Sequence, residues 1–191
     1  AEEILEDYKE LKKDSKMEEL LKIVNSHLAG NPHEKILIYT KHPTTAEYMS
    51  EQLIPLGLKV TTFKGGLTRE EKTERITEFR NDSQVLICTD AGAEGINLQF
   101  CHVLINYDLP WNPMSVEQRI GRGDRLGQEH DMQIYSLATK DTMEEYVVDL
   151  IINKMCCVGL VIGELPIILF NLGLDSEGKT GSTKIEEHLL N

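Results

Sequence analysis

Short apolar runs and stripes of apolar residues at helical spacing alternate along this chain. Residues 36–39 (Ile-Leu-Ile-Tyr) form a compact apolar run, 85–88 and 103–107 are similar, and 59–63 and 132–138 are shorter apolar stretches broken by polar residues. Runs of that length between polar loops predict buried strands. The segments between them have helical periodicity. Met17, Leu20, Leu21, Val24 and Leu28 mark one helix, ended by Gly30-Asn31-Pro32. Ala46, Met49 and Leu53 mark the inward face of a helix over 43–56. Another helix runs from Thr68 to about residue 80, and Asn112-Pro113 opens one with proline at its first position. Met143, Tyr146, Val147, Leu150, Ile151 and Met155 share one face of a last helix. Ser15-Lys16-Met17-Glu18, Thr68-Arg69-Glu70-Glu71 and Thr142-Met143-Glu144-Glu145 all have the form of a capping box. In such a box the first hydroxyl satisfies a free N–H and the acid three residues on reaches back.

Strand runs alternating with amphipathic helices predict an α/β fold, a parallel sheet covered by helices on both faces. Ligands of such sheets bind beyond the carboxyl ends of the strands. The chain divides into a charged lead (1–14), an α/β unit (15–152) and a tail (153–191), with a loop-like stretch at 175–184. No internal repeat is visible. The segment 155–174 is about as long as a membrane span. Glu164 and Pro166 at its centre predict two short helices with apolar faces instead, and no membrane partner.

Charge and cysteine content narrow the picture. The net charge is −12, and residues 141–191 hold nine acids against three lysines. An acidic chain is a poor general binder of nucleic acid, so any such contact requires a local cationic stripe. Cys88, Cys101, Cys156 and Cys157 lack the spacing of a zinc site or a disulfide framework, which points to a reducing cytoplasmic setting. Residues 1–25 are charge-rich and contain no signal peptide; Ala1 in first place fits a fragment or a lost initiator Met.

Two strings carry the candidate chemistry. The first runs from Gln118 to Gln128 (QRIGRGDRLGQ) and sets Arg119, Arg122 and Arg125 among glycines at the end of a helix. Glycine lets a backbone approach a ligand closely, and arginine clamps phosphate oxygens with a permanent planar charge. Arg122 and Arg125 are three apart and would face the same way on a helix. A plainer role is a solvated turn with ion pairs to Asp124 and Glu117. The second string runs from Thr89 to Gln99 (TDAGAEGINLQ), directly after the strand 85–89. A polar, glycine-bearing loop there suits phosphate or ribose contacts, and a tight strand-to-helix turn is its plainer role.

Together the strings resemble motifs VI and V of the superfamily 2 helicases, in the Snf2/Rad54/RapA-type branch. Further matches add to the resemblance. Lys64-Gly65-Gly66-Leu67-Thr68 and Glu78-Phe79-Arg80 resemble the family's HGGL…FR segment, with lysine where histidine is common. Residues 36–40 resemble motif IV, and Asn106-Tyr107-Asp108-Leu109-Pro110-Trp111-Asn112-Pro113 resembles the link between motifs V and VI. The resemblance covers roughly residues 15–152. It implies the second of two RecA-like motor lobes of an ATPase. The first lobe, the expected partner, would hold most of the ATP and Mg²⁺. Arg122 and Arg125 would then be arginine fingers, worth roughly 10³–10⁵ in rate in other NTPases. Gln118 would help position them or couple the two motifs. Glu94, Gly95 and Asn97 would lie on the ribose side of the nucleotide. Thr40, Lys41, Gly66 and Thr89 would contact a nucleic-acid backbone, with duplex DNA as the expected partner. RNA polymerase or another DNA-bound complex is a conceivable target. The absence of long insertions between motifs points to a prokaryotic source; a eukaryotic one would imply the nucleus. By itself the chain should not hydrolyse ATP.

Gly173 to Thr180 (GLDSEGKT) also satisfies the phosphate-binding pattern G-x-x-x-x-G-K-[ST]. Eleven residues follow it, too few for a nucleotide-binding core, and Asp175 and Glu177 would put negative charge in the cradle. It is read as a loop. Two alternatives stand beside the motor lobe: a non-catalytic RecA-like module that binds nucleic acid or a partner, and a free-standing NTPase using Lys179. His27 and His102 are expected to be structural or solvated, Cys88, Cys101 and Tyr107 to be core, and Trp111 to pack beneath the motif VI helix.

Overall fold

The computed structural model describes residues 14–93, 95–124, 128, 130–150 and 189–190. Its elements follow the expected alternation: α1 (Ser15–Gly30), β1 (Ile36–Thr40), α2 (Pro43–Leu53), β2 (Val60–Phe63), α3 (Arg69–Asn81), β3 (Val85–Thr89), α4 (Asp90–Ala93), β4 (Val103–Asn106), α5 (Pro113–Ile120), β5 (Gln133–Ser136) and β6 (Ala138–Thr139). Residues 143–150 are helical and form α6. β6 pairs in parallel with β7 (Leu189–Leu190).

Five strands form one parallel sheet in the order β2-β3-β1-β4-β5. The three inner strands are buried along their whole length, whereas the edge strands β2 and β5 are partly open. This is why 36–39 and 85–89 are continuous apolar runs rather than alternations.

Successive residues of a strand point to opposite faces, so β1 feeds two cores. Ile36 and Ile38 join Val85, Ile87, Val103 and Ile105 beneath α1 and α2. Leu37 and Tyr39 join Leu86, Cys88, Leu104 and Phe79 of α3. The outward step to β2 and the step back to β3 run in opposite directions, and right-handed crossovers then put α2 and α3 on opposite faces.

Several boundaries differ from expectation for physical reasons. The N-cap of α1 is Asp14, not Ser15, and its Oδ1 accepts the Met17 N–H at 2.9 Å. A carboxylate at a helix start satisfies a donor and also complements the helix dipole. α2 stops at Leu53 and gives way to a 3₁₀ turn over Ile54–Leu56, where Pro55 has no N–H to donate, and Gly57 closes it at φ +84°. The Thr68 capping box forms in both directions with Glu71. On α6, Val147 enters a small cluster with Leu109 and Val116, while Met143 and Tyr146 are 63% and 57% exposed. The single face expected for that helix is therefore split. Trp111 is 54% exposed and does not pack beneath α5. Among the described residues no helix is long and apolar enough to cross a membrane. The segment 155–174, the GKT stretch and the boundary at 152/153 lie outside the described residues.

Candidate nucleotide and nucleic-acid face

The informative residues gather at the carboxyl edge of the sheet. Parallel register puts Thr40 beside Thr89, Tyr39 beside Asn106, and Asn106 beside Ser136. The loops that leave these strand ends carry the two strings and the link between them.

Arg119, on α5, lies at the centre. Its side chain is 3% exposed. Nε and Nη2 donate to the two oxygens of Asp90 at 2.7 and 2.9 Å. Nη1 donates to Asn106 Oδ1 and to the Asp108 carbonyl, each at 2.8 Å. The guanidinium lies over the Tyr39 ring, 4.9 Å from its centroid. One side chain thus ties the start of the motif V loop, the end of β4 and the link. The Tyr39 hydroxyl is buried without a hydrogen-bond partner, and burial together with the neighbouring Cys88 pushes its pKa up.

A second polar cluster begins at Asp108. Its Oδ2 accepts from Thr40 Oγ1 and from the Lys41 N–H. Lys16 of α1 stands 3.8 Å from Asp108 Oδ1, donates to Glu144 of α6 and lies 5.2 Å from the Tyr107 ring centroid. Glu144 also accepts the Thr139 N–H at 2.9 Å. Lys16 therefore ties the first and last described helices to the end of β1. A cleft of about 160 Å³ opens above it, lined by Lys41, His42, Asp108, Trp111, Met143 and Val147.

The arginine-bearing string turns sharply. α5 ends at Ile120, and the N–H groups of Gly123 and Asp124 both reach the Ile120 carbonyl at 3.0 Å. Arg122 is on this turn, two residues beyond the end of α5. Arg125 itself lies outside the described residues. Arg122 is half-buried and forms no ion pair with Glu117 or Asp124. Its carbonyl accepts the Leu98 N–H at 3.1 Å, which joins the two strings. A Cβ on Gly123 would stand 2.9 Å from Met132 Cε and 3.0 Å from the Cys101 carbonyl oxygen, so the turn needs glycine there. Gln118 is exposed.

The other expected site residues divide by exposure. Thr40 and Thr89 are buried, and Thr89 Oγ1 accepts the Gly92 N–H at 3.3 Å. Gly66 is exposed at φ +90°, and Lys41 is half-buried. Gly95 turns at φ +79°, and exposed Asn97 bonds with Gln99. Glu94 lies outside the described residues. Lys64 pairs with Glu47. Among the described residues no group of three or more His, Cys, Asp or Glu side chains could hold a metal ion.

A model of the helicase conserved C-terminal domain matches residues 15–127, more than half of the chain. The chain belongs to this family. Over 156 residues this helicase domain is 46% identical to the uncharacterized ATP-dependent helicase YqhH of Bacillus subtilis strain 168, covering 82% of the chain and 27% of that relative. It is 40% identical over 113 residues to the RNA polymerase-associated protein RapA of Serratia proteamaculans, covering 57% of the chain and 12% of that protein. The chain thus spans only about a quarter or less of the length of these relatives. Among solved structures it resembles the C-terminal part of the Fun30 ATPase domain, with TM-score 0.68 and 27% identity, over 72% of this chain and 45% of the other. A DEAD box protein from Methanococcus jannaschii matches with TM-score 0.62 and 26% identity, over 73% of this chain and 36% of the other. The Snf2-type superfamily 2 resemblance and the RecA-like fold hold.

Sequence reading missed the central role of Arg119 in the helicase domain. The signal was present: Val116, Arg119 and Ile120 have helical spacing, which places an arginine on the inward stripe of α5. A buried arginine requires a carboxylate and carbonyls around it. Asp90 and Asp108, which serve it, lie in the motif V loop and in the link, far from it in sequence.

Proposed function

We propose that this domain is the second motor lobe of a nucleic-acid-dependent Snf2-type translocase driven by ATP hydrolysis. In this reading Arg122 and Arg125 approach the γ-phosphate and stabilise charge on the transferring phosphoryl group. Gln118 positions them, and Glu94, Gly95 and Asn97 meet the ribose side of the nucleotide. Exposed Gly66 and half-buried Lys41 meet a phosphate backbone. Thr40 and Thr89, whose hydroxyls are engaged inside the protein, contribute by shaping the backbone at the strand ends. Contacts of this kind grip a duplex without reading its sequence.

The observation that carries the reading is the convergence of motif V, the link and motif VI on Arg119 at the carboxyl edge of β1, β3 and β4. ATP and Mg²⁺ are held mainly by an N-terminal RecA-like lobe of the same protein, so this domain alone does not turn over ATP. RapA relatives are named for association with RNA polymerase. RNA polymerase, or another complex bound to DNA, is the protein target we favour.

Duplex-stimulated ATP hydrolysis by the intact protein tests the reading. Arg122→Ala and Arg125→Ala should each lower stimulated turnover by at least about 10³-fold, the lower bound for arginine fingers elsewhere. Unchanged turnover in both variants would leave a non-catalytic binding module as the better account.

A further inference from the structure

We infer that Arg119 is a positioning residue that couples the nucleic-acid contacts around Thr40 and Lys41 to the arginine-bearing turn at Arg122; the inference rests on the motor reading above. Arg119 is no finger. Its side chain is 3% exposed, and the guanidinium is committed to Asp90, Asn106, the Asp108 carbonyl and the Tyr39 ring. It cannot reach a nucleotide without giving up these contacts.

The contacts form one continuous path. Thr40 and the Lys41 N–H bind the Asp108 carboxylate. The carbonyl of that same residue binds Arg119 Nη1. The main-chain carbonyl of Arg119 in turn accepts the Arg122 N–H at 3.2 Å, and the Arg122 carbonyl accepts the Leu98 N–H at 3.1 Å. A phosphate backbone that shifts Lys41 and Asp108 therefore pulls on Arg119, and through it on both ends of the turn. Asp90, on the far side of the guanidinium, directly follows Thr89, so the second strand end joins the same hub.

A purely structural ion pair explains less. The Asp90 side chain is 47% exposed while Arg119 is 3% exposed, so the pair supports a buried charge from a carboxylate that still faces water, and charge balance alone sets no orientation. What the pair does fix is direction. A bidentate fork sets the guanidinium plane, and lysine, a point charge on a flexible stem, cannot reproduce it.

The test uses the intact protein, with wild type, Arg119→Lys, Asp90→Asn and the double variant. ATP turnover is measured with and without duplex DNA, and duplex affinity is measured with and without a non-hydrolysable ATP analogue. Binding coupling is reciprocal and is commonly about 5–150-fold. Each single variant should lose most of the nucleotide-dependent change in duplex affinity and most of the stimulation. Basal turnover and nucleotide-free duplex affinity should stay within about threefold, a range small against that coupling. The double variant should be no worse than the worse single one, because both remove one interaction. Folding is checked by thermal unfolding. Should Arg119→Lys fail to fold, Asp90→Asn decides alone, since it keeps the side-chain size at a half-exposed position. Full coupling in a folded variant overturns the inference, and so does an equal loss of basal and stimulated turnover. A wild-type protein with neither stimulation nor nucleotide-dependent duplex binding overturns the motor reading itself.

Discussion

Gly92 sits so close to Phe63 that a Cβ on it would stand 2.6 Å from the Phe63 carbonyl oxygen. The obstacle is backbone at the end of β2, which cannot swing aside as a side chain would. Contact at this distance lets α4 tuck beneath the loop that carries Lys64, Gly65 and Gly66. Gly65 is close to the same helix, with its Cβ position 3.3 Å from that of Ala91.

Gly92→Ala should therefore destabilise the domain by about 1–3 kcal/mol, the range for overpacking a tight contact. Urea unfolding of the variant against wild type measures it. A midpoint within error of wild type would show that the two loops can part without strain.

Phe79 anchors α3 to the second core, fully buried among Leu37, Leu86 and Leu104. Phe79→Ala should cost about 3–5 kcal/mol, combining lost transfer energy and a residual cavity. A loss under about 1 kcal/mol would mean that the site collapses around the gap.

Stability should fall in alkali. Burial pushes the Cys101 thiol from its ordinary 9.0 up to about 12. Burial is also the first cause that raises Cys88, Tyr39 and Tyr107. A raised value in the fold means that the folded state keeps a proton the unfolded chain releases. The contribution from Cys101 is complete below pH 9.0 and is lost as pH rises toward about 12. Urea midpoints should decline across that window, less steeply for Cys101→Ala. A flat profile would contradict the burial of these groups.

Trp111 is the single tryptophan and is 54% exposed. Its emission should resemble that of a hydrated indole and be readily quenched by acrylamide. Trp111→Phe should change stability by no more than about 0.5 kcal/mol, as for surface positions generally. A blue-shifted emission protected from quencher would place the ring under cover.

Much of the fold was legible because local rules and global packing agree. The continuous apolar runs at 36–39 and 85–89 are inner strands of a parallel sheet. The Thr68–Glu71 box is local chemistry that needs no tertiary help. What was not legible depended on competition between neighbours. Asp14 outcompeted Ser15 for the cap because a carboxylate one residue earlier does the same work with more charge. Met143 and Tyr146 have the periodicity of a buried face, but periodicity does not say which neighbours come to meet it. Arg119 was visible as one of three arginines, but its role was not. Its partners are 29, 13 and 11 residues away in the chain, and only the sheet brings them together.

Asp108 serves two masters through two different parts of itself. Its carboxylate holds the end of β1, while its main-chain carbonyl holds Arg119. A side-chain scan at position 108 can register the first function and is blind to the second. Half of what this residue does is thus written in the length of the link rather than in its letters. One residue added between Asn106 and Asp108 would displace that carbonyl by up to about 3.5 Å without changing the identity of any side chain named above.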